Sequence, residues 1–318
     1  MNVSSTLQRL VQPLMPAWRL VQPFWRAAQM WLDADGLRMS AAMSFYGMLS
    51  LAPLLLLLVG VLGWWMDRSY LESSLIAQVQ SVMGQQVADV VQQAMASAKA
   101  PAEGRLASIV GFVVLLSGAT GVFVELQSAL ERLWMRDGLA VERAAWWRMA
   151  SLRLRGLAYV LALGFLLMVS LALSTLINLL AGWAGERLAF APLAPLFQVI
   201  NEVVAFGFAV ALFVGLMRMG AGPKPQLRYL VMGAVVGATL FTLGKQLLAW
   251  YLSTAAVVSA YGAAGSLVVL LMWIYFSSAV LLFSASCAQA LSDATLATKR
   301  SEESTARSAA ADGVSAVP

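Results

Sequence analysis

Residues 51–65 read LAPLLLLLVGVLGWW and lie at the centre of a 29-residue stretch between Arg38 and Arg68 that contains one charged residue, Asp67. An apolar run of this length can cross a hydrocarbon core of about 30 Å as a helix that rises about 1.5 Å per residue. The stretch therefore predicts a first membrane span at residues 39–65.

Five more apolar runs of similar length follow along the chain. They lie at residues 106–124, 157–183, 193–217, 230–252 and 266–290. Of all residues, 60% are hydrophobic and 12% are charged, whereas soluble proteins average about 45–50% and about 25%. We therefore expect an all-α polytopic membrane protein with six transmembrane helices and amphipathic interfacial helices, in which the membrane domain covers residues 39–291.

The distribution of lysine and arginine predicts the orientation of these spans. Sixteen of them lie in the N-terminal segment 1–38, the loop 125–156, the connection after the fourth span and the tail 292–318, and four lie in the loops on the opposite side. Cytoplasmic loops retain lysine and arginine, so both termini are expected in the cytoplasm. A cleavable signal peptide is not expected, because prolines and arginines interrupt the first 38 residues.

Two extramembrane segments before the second span carry amphipathic patterns. PFWRAAQMWLDADG, residues 23–36, mixes tryptophan with charge, as a helix along the headgroups would, and Pro23 suits its first turn. A solvated leader is the alternative. In the external loop 67–105, apolar residues at helical spacing predict a helix or helix pair, loosened at Gly84, that packs over the membrane domain. The predicted apolar face consists of Ile76, Val79, Met83, Val87, Val90 and Ala94.

The loop 125–156 begins with a second predicted amphipathic helix, ELQSALERLWMRDG. Its apolar face consists of Leu126, Leu130, Leu133 and Trp134. The arginines and tryptophans of this loop fit a nucleic-acid surface, but the same residue types attract anionic lipid headgroups. We favour the lipid bilayer and its anionic headgroups as the partner over nucleic acid. The polar tail 292–318 is expected to be disordered.

Two charged residues, Glu202 and Lys245, fall within predicted spans at similar depth, roughly 10 Å from the outer surface. They predict an ion pair or a shared polar cavity, to which Asn201 adds weight. Snorkelling of each side chain to the interface is an equal alternative. Pro53 should bend or break the first span, and such interruptions mark binding sites in transporters, although isolated membrane prolines are common. These four residues form the predicted substrate pathway.

Small residues and missing residue types restrict the chemistry further. Gly233 and Gly237 at GxxxG spacing, and Gly118 and Gly121 near the second span, predict close helix packing. The chain has one cysteine, Cys287, and no histidine, so it lacks an internal disulfide and the commonest metal ligand and general base. No GK[ST] nucleotide-binding run occurs. We therefore expect no cofactor, no metal site and no catalytic residue, while a homo-oligomer stays open.

Four motifs resemble, in order, those of the YihY/BrkB family of bacterial inner-membrane proteins. They are AAMSFYGMLSLAPLLLLLVGVLG at 41–63, GVFVELQSALERLW at 121–134, KPQLRYLVMGAVVGATLFTLGKQLLAWYL at 224–252 and YGAAGSLVVLLMWIYFSSAVLLFSA at 261–285. The chain departs from the family pattern at Glu131, where relatives usually carry Asn, and at residues 284–286, where they often carry Gly-Ala-Glu. A role that this glutamate has in relatives cannot be transferred to the present chain, which has Ser286 at that position.

The resemblance implies a six-span protein of the bacterial inner membrane, but it does not settle an activity. Relatives have carried a ribonuclease BN label or a virulence-factor label linked to serum resistance. A transporter or permease for a small polar solute or lipid agrees best with the polar groups in the spans. A scaffold in envelope assembly or virulence ranks second. A ribonuclease ranks third, because Glu125, Glu131, Asp137 and Glu142 show no recognisable metal-ligand spacing.

Overall fold

The computed structural model describes residues 14–62, 67–83, 85–99, 121–134, 194–220, 224–254 and 265–315, with seven helical positions between 162 and 176. Eight helices account for nearly all of the continuous described segments. They are α1 (Leu14–Asp33), α2 (Gly36–Leu62), α3 (Arg68–Met83), α4 (Gln85–Lys99), α5 (121–134), α6 (Ala194–Arg218), α7 (Leu227–Thr254) and α8 (Gly265–Ser315). The described part of the chain therefore confirms the expected helical class.

Three helices within the described residues are long and apolar enough to cross a membrane. The apolar stretches are Val199–Arg218 in α6, Leu227–Leu248 in α7 and Leu267–Thr298 in α8, where the fourth, fifth and sixth spans were predicted. The first predicted span is helical up to Leu62. The spans predicted at 106–124 and 157–183 lie, apart from a few positions, outside the described residues, so the count of six stays a prediction.

The turn between α1 and α2 is set by two adjacent residues. Asp35 has a φ of 59°, a left-handed conformation that Asp tolerates better than most residues. Gly36 follows, and a Cβ at this position would collide with the Trp31 ring. The Arg38 guanidinium donates a hydrogen bond of 2.6 Å to the Asp35 carboxylate, which holds the start of α2 against the turn.

The N-terminal helix α1 begins earlier than the sequence predicted. It starts at Leu14, so Pro23 lies inside the helix and the prediction of a first-turn proline was wrong. α1 packs along α8, with Ala27 against Cys287 and Ala290. Burial of a helix face contributes more to helix stability than local propensity does, which accounts for a helix that continues through the proline.

Helix α8 is the central element of the described structure, and it packs against α7, α2, α1 and α4. The largest core cluster surrounds its middle. It includes Leu282, Ala285 and Ala288 of α8, Met39 and Met43 of α2, Phe213 and Met217 of α6, and Leu126, Leu130, Leu133 and Trp134 of α5. The predicted apolar face of α5 is therefore buried in the core, while Arg132 is exposed.

The cap pair, defined here as α3 and α4, lies against the first turns of α8. Its buried residues Leu71, Leu75, Val87, Val91 and Met95 contact Val269, Leu270 and Trp273 of α8. The helix pair was predicted, but its buried face was partly wrong. Val79 and Val90 are partly buried and pack against this cluster, whereas Ile76 is only partly buried and does not belong to it. The packing of α3 and α4 against each other and against α2 decides which face is covered.

Asp67 caps the start of α3. Its carboxylate accepts hydrogen bonds from the Ser69 hydroxyl, from the Ser69 backbone N–H at 2.8 Å and from the Tyr70 backbone N–H at 3.1 Å. These bonds, that of the Ser69 hydroxyl foremost, lower the pKa of the Asp67 carboxyl below its usual value. Since the folded-state pKa is lowered, the stabilising contribution is present at neutral pH and is lost as the pH falls through the folded-state pKa.

The C-terminal segment is helical, which corrects the expectation of a disordered tail from residue 292. α8 continues to Ser315. The segment from residue 294 to 311 is rich in Ala, Lys, Arg and Glu, which favour helices. Glu303 stands four residues after Lys299 and four before Arg307, a spacing that brings opposite charges together on a helix surface.

Candidate functional site

Polar residues of α6 and α7 make up most of the predicted substrate pathway. The two helices are packed neighbours, and the rings of Phe213 and Phe241 meet between them with centroids 6.2 Å apart. Measured along the helices from the turn that joins them, Glu202 and Lys245 lie about 24 Å and about 27 Å away at 1.5 Å per residue. Because the helices are connected by a short turn, both residues lie toward the same end of the pair.

The environments of these polar side chains differ. The Oδ1 atom of Asn201 is buried and has no hydrogen-bond partner among the described residues. Glu202 is exposed on the surface of α6, and Lys245 is half-buried on α7. Within the described part of the chain, no hydrogen bond or ion pair joins Glu202 to Lys245. A shared polar cavity and snorkelling are the alternatives that remain for this pair.

The glycines of α7 lie where that helix crosses α8. A Cβ at Gly233 would lie 2.6 Å from the carbonyl oxygen of Ser284 and 2.8 Å from the Cβ of Ala288. A Cβ at Gly237 would lie 2.6 Å from the Ser284 hydroxyl and 2.7 Å from the Phe213 ring. The Ser284 hydroxyl donates a hydrogen bond of 2.6 Å to the Gly233 carbonyl. The backbones of α7 and α8 therefore approach each other closely here, and this hydrogen bond joins the two helices.

Ser284 has a structural role that the sequence analysis did not assign. In the sequence Ser284 is distinguished only by its departure from the family pattern, whereas in the structure it is fully buried. A small hydroxyl residue on a neighbouring span is a typical partner for a GxxxG face, because it fits the close approach and its O–H can reach a backbone carbonyl. That signal depends on knowing which spans are neighbours.

The remaining predicted site residues lie near α2. A Cβ at Gly121 would lie 3.1 Å from the Tyr46 ring, so α5 approaches α2 at this position. Gly118 lies outside the described residues. Pro53 was predicted to bend or break the first span; α2 is continuous across it up to Leu62, so the helix does not break there, and a bend at Pro53 and its role in binding stay predictions.

The described residues offer little for hydrolytic chemistry. Among them, no group of three or more His, Cys, Asp or Glu side chains could hold a metal ion. Glu125 and Glu131 of the proposed nuclease set lie on α5, and Asp137 and Glu142 lie outside the described residues. The chemistry that the described polar groups of α6 and α7 do offer is hydrogen bonding and charge attraction.

Apolar helices that can cross a membrane, with polar groups inside two of them, define a helical membrane protein. The family model described as Virulence factor BrkB matches residues 27–309, which is most of the chain. The chain belongs to this Virulence factor BrkB family.

Several curated proteins are similar to parts of the chain. A UPF0761 membrane protein of Pasteurella multocida is 35% identical over 101 residues, 31% of this chain and 32% of the relative. One of Actinobacillus pleuropneumoniae is 36% identical over 87 residues, 27% of this chain and 32% of the relative. The chain thus spans about a third of the length of the curated relatives it matches. No solved structure matches the chain.

Proposed function

We propose that this protein is a six-span inner-membrane permease that moves a small polar solute or a lipid along a path between α6 and α7. In this proposal residues 39–291 form the membrane domain, and both termini lie in the cytoplasm. The path is lined by Asn201, Glu202 and Lys245 near its outer end. Membership of a family of membrane proteins supports the location, and the polar groups of α6 and α7 support the path.

The buried oxygen of Asn201 is the observation that carries the proposal. It lies in an apolar span and has no hydrogen-bond partner among the described residues. An amide oxygen without a partner in an apolar environment costs about 1–3 kcal/mol. An ionised Lys costs up to about 2.5–3.5 kcal/mol on insertion scales, the value for the centre of a span. A hydrated path that brings water or a polar solute to these groups would offset both costs.

Cysteine accessibility provides a direct measurement of this path. We expect Glu202→Cys and Lys245→Cys, each in a Cys287→Ala background, to react with a charged, membrane-impermeant maleimide added to the outside of intact cells. A thiol reacts as the thiolate, which forms in water and not in hydrocarbon. The readout is the labelling rate of each variant on a gel.

Leu247→Cys is the matched control for this labelling. Leu247 lies two residues from Lys245, about 200° around α7 at 3.6 residues per turn, so its side chain points away from that of Lys245 and is expected to face lipid. We expect its labelling to be at least about tenfold slower than at positions 202 and 245. Labelling at positions 202 and 245 that is as slow as at position 247 would show that the two charged residues do not line water. The path would then be removed from the proposal.

Uptake by reconstituted vesicles tests transport itself. Purified protein is offered a panel of labelled polar solutes and fluorescent phospholipids, and the initial uptake rate is measured. For a solute that is transported, we expect Glu202→Gln combined with Lys245→Met to reduce the rate roughly ten- to a hundredfold. This corresponds to loss of a hydrogen bond to a charged group, about 1.5–3 kcal/mol. Gln246→Ala, an exposed neighbour on α7, should leave the rate unchanged.

A scaffold in envelope assembly is the second candidate, and the cap pair is the observation that favours it. The pair covers Trp273 with its apolar face, while its other face is polar and exposes Tyr70, Gln80 and Gln92. Two results would count against the path. One is inserted, monodisperse protein that transports no member of the panel, and the other is a Glu202/Lys245 double variant that transports at the wild-type rate. The first of these results would favour the scaffold.

A further inference from the structure

A half-open cavity lies where the start of α7 meets the cytoplasmic extension of α8 in the proposed topology. Its volume is about 250 Å³, far above the about 10–15 Å³ that one water molecule needs. The polar lining consists of Lys224, Gln226, Arg228, Tyr229, Ser292 and Thr295. The cavity is separate from Asn201, Glu202 and Lys245, which lie at the opposite end of the α6–α7 pair.

The charge of the lining is positive. Lys224 and Arg228 contribute two cations, and the described lining contains no acidic side chain. Lys224 Nζ donates a hydrogen bond of 2.5 Å to the carbonyl of Arg218 at the end of α6, which positions the ammonium at the cavity. Asp293, next to Ser292 in sequence, is not part of the lining; it accepts a hydrogen bond from Gln289 at 3.2 Å, and both it and Lys224 make further interactions.

The Arg228 guanidinium is oriented by an aromatic ring. Its central carbon lies 4.5 Å from the centroid of the Tyr229 ring, and Tyr229 is itself buried. Stacking on a ring uses the face of the guanidinium and leaves the N–H groups at its edge able to bind an oxyanion. Among the described residues, no carboxylate forms an ion pair with Arg228.

The start of α7 borders the same cavity through Gln226, Arg228 and Tyr229. The carbonyl of Gln226 accepts hydrogen bonds from the N–H groups of Tyr229 and Leu230, at 2.9 and 3.2 Å, so Gln226 is the N-cap residue. The first N–H groups of a helix have no acceptor within the helix, and the positive end of the helix dipole lies there. Anions bind at such positions.

Ser292 provides an independent indication of a ligand. The residue is 8% exposed, and it lines the cavity from α8. Its hydroxyl makes no hydrogen bond to another described residue, unlike the buried Ser284 and Ser286 of the same helix, whose hydroxyls donate to backbone carbonyls. The hydroxyl of this largely buried residue is therefore available to a polar group bound in the cavity.

We propose that this cavity binds a phosphate group, held by Lys224, Arg228, the N-terminus of α7 and the Ser292 hydroxyl. The cavity lies at the end of the apolar stretches of α7 and α8, so either an anionic phospholipid headgroup or a soluble phosphate compound can reach it. The inference does not depend on transport. Binding there would tie the start of α7 to α8 and, through Lys224, to the end of α6.

Ligand binding to full-length protein in a neutral detergent tests the site. The protein is titrated with inorganic phosphate, with phosphatidylglycerol and with phosphatidylcholine, and bound ligand is followed by native mass spectrometry. We expect saturable binding of phosphate or phosphatidylglycerol that Arg228→Gln weakens about tenfold or more and Ser292→Ala weakens severalfold. Arg26→Gln, an exposed arginine of α1, and Ser286→Ala serve as controls and should stay within about twofold of the wild type.

The ligand series distinguishes the two sources of phosphate. Binding of inorganic phosphate that depends on Arg228 and Ser292 would identify a soluble phosphate site, and binding of phosphatidylglycerol alone would identify a lipid headgroup site. Wild-type protein that binds neither, or cavity variants that bind as the wild type does, would overturn the proposal. Melting temperatures measured without ligand establish whether each variant is folded. We expect values close to the wild type, because Arg228 is exposed and Ser292→Ala removes one oxygen atom.

Discussion

Replacing Trp273 with alanine is expected to release the cap pair from α8 and to destabilise the protein by about 3–5 kcal/mol, the usual cost of removing a buried tryptophan side chain. Trp273 is 1% exposed, and it belongs to the cluster that holds Leu71 and Leu75 of α3 and Val87 and Val91 of α4. Its ring also meets Phe276 edge to face, with centroids 6.5 Å apart.

The stabilisation by Trp273 is expected to come from packing. The Nε1 atom has no hydrogen-bond partner among the described residues, so removal of the ring abolishes contacts without breaking a hydrogen bond. Since the ring belongs to the buried cluster that joins α8 to the cap pair, the cavity left by alanine opens within that cluster. The cap pair should then separate from α8 more often than the membrane helices separate from each other.

Limited proteolysis and thermal melting measure this effect. A protease added outside spheroplasts should cleave residues 67–99 of Trp273→Ala faster than those of the wild type, and purified protein should melt at a lower temperature. Trp25→Ala is the control, because it removes the same ring from a position that is 61% exposed on α1. Equal cleavage rates in the Trp273 variant and the wild type would contradict the assignment of Trp273 as the anchor of the cap pair.

Replacing Gly233 with alanine is the second change with a large expected effect. The added Cβ would lie 2.6 Å from the Ser284 carbonyl oxygen and 3.0 Å from the Ala288 backbone nitrogen. Both are backbone atoms of α8, which cannot move without shifting the helix. Overpacking of this kind costs about 1–3 kcal/mol, and a shift of α8 would also weaken the hydrogen bond from Ser284 to the Gly233 carbonyl, worth about 0.5–1.5 kcal/mol.

Gly207→Ala provides the matched control for this packing effect. The same methyl group is added to a membrane helix, but a Cβ at Gly207 would meet nothing within 4 Å. Alanine favours a helix over glycine by up to about 1 kcal/mol, so the Gly207 variant should melt at the wild-type temperature or slightly above it. The Gly233 variant should melt several degrees lower. Similar melting temperatures for both variants would show that α7 and α8 are not packed as closely as described.

The membrane helices illustrate what can be read from the sequence. The span predicted at 193–217 corresponds to α6 at Ala194–Arg218, and that at 230–252 falls within α7 at Leu227–Thr254. These predictions depend on the length and hydropathy of one continuous segment, and both properties are local. The apolar face of α5 was predicted for the same reason, because four residues at helical spacing fall on one side of a single helix.

Other features depend on how helices cross. The covered face of the cap pair includes Leu71 and Leu75, which the helical spacing did not select, because α3 packs against α4 and α2 on that side. The C-terminal extension of α8 shows the opposite error, since low hydropathy was interpreted as disorder although the helix propensity of the segment is high. Local preference places Pro23 in a first helical turn, whereas the packing of α1 against α8 continues the helix on both sides of the proline.

The amino-acid sequence alone determined the class of the protein, the family resemblance, the approximate limits of the three described spans and the glycines on α7. Only the tertiary structure paired Ser284 with Gly233, showed Asn201 Oδ1 without a partner among the described residues and placed Ser292 beside Lys224 and Arg228 in one cavity. These residues lie far apart in the chain, and their contacts depend on the crossing angles and rotations of neighbouring helices. Such geometry arises from the packing of several helices at once, whereas hydropathy and helix propensity are properties of each segment by itself.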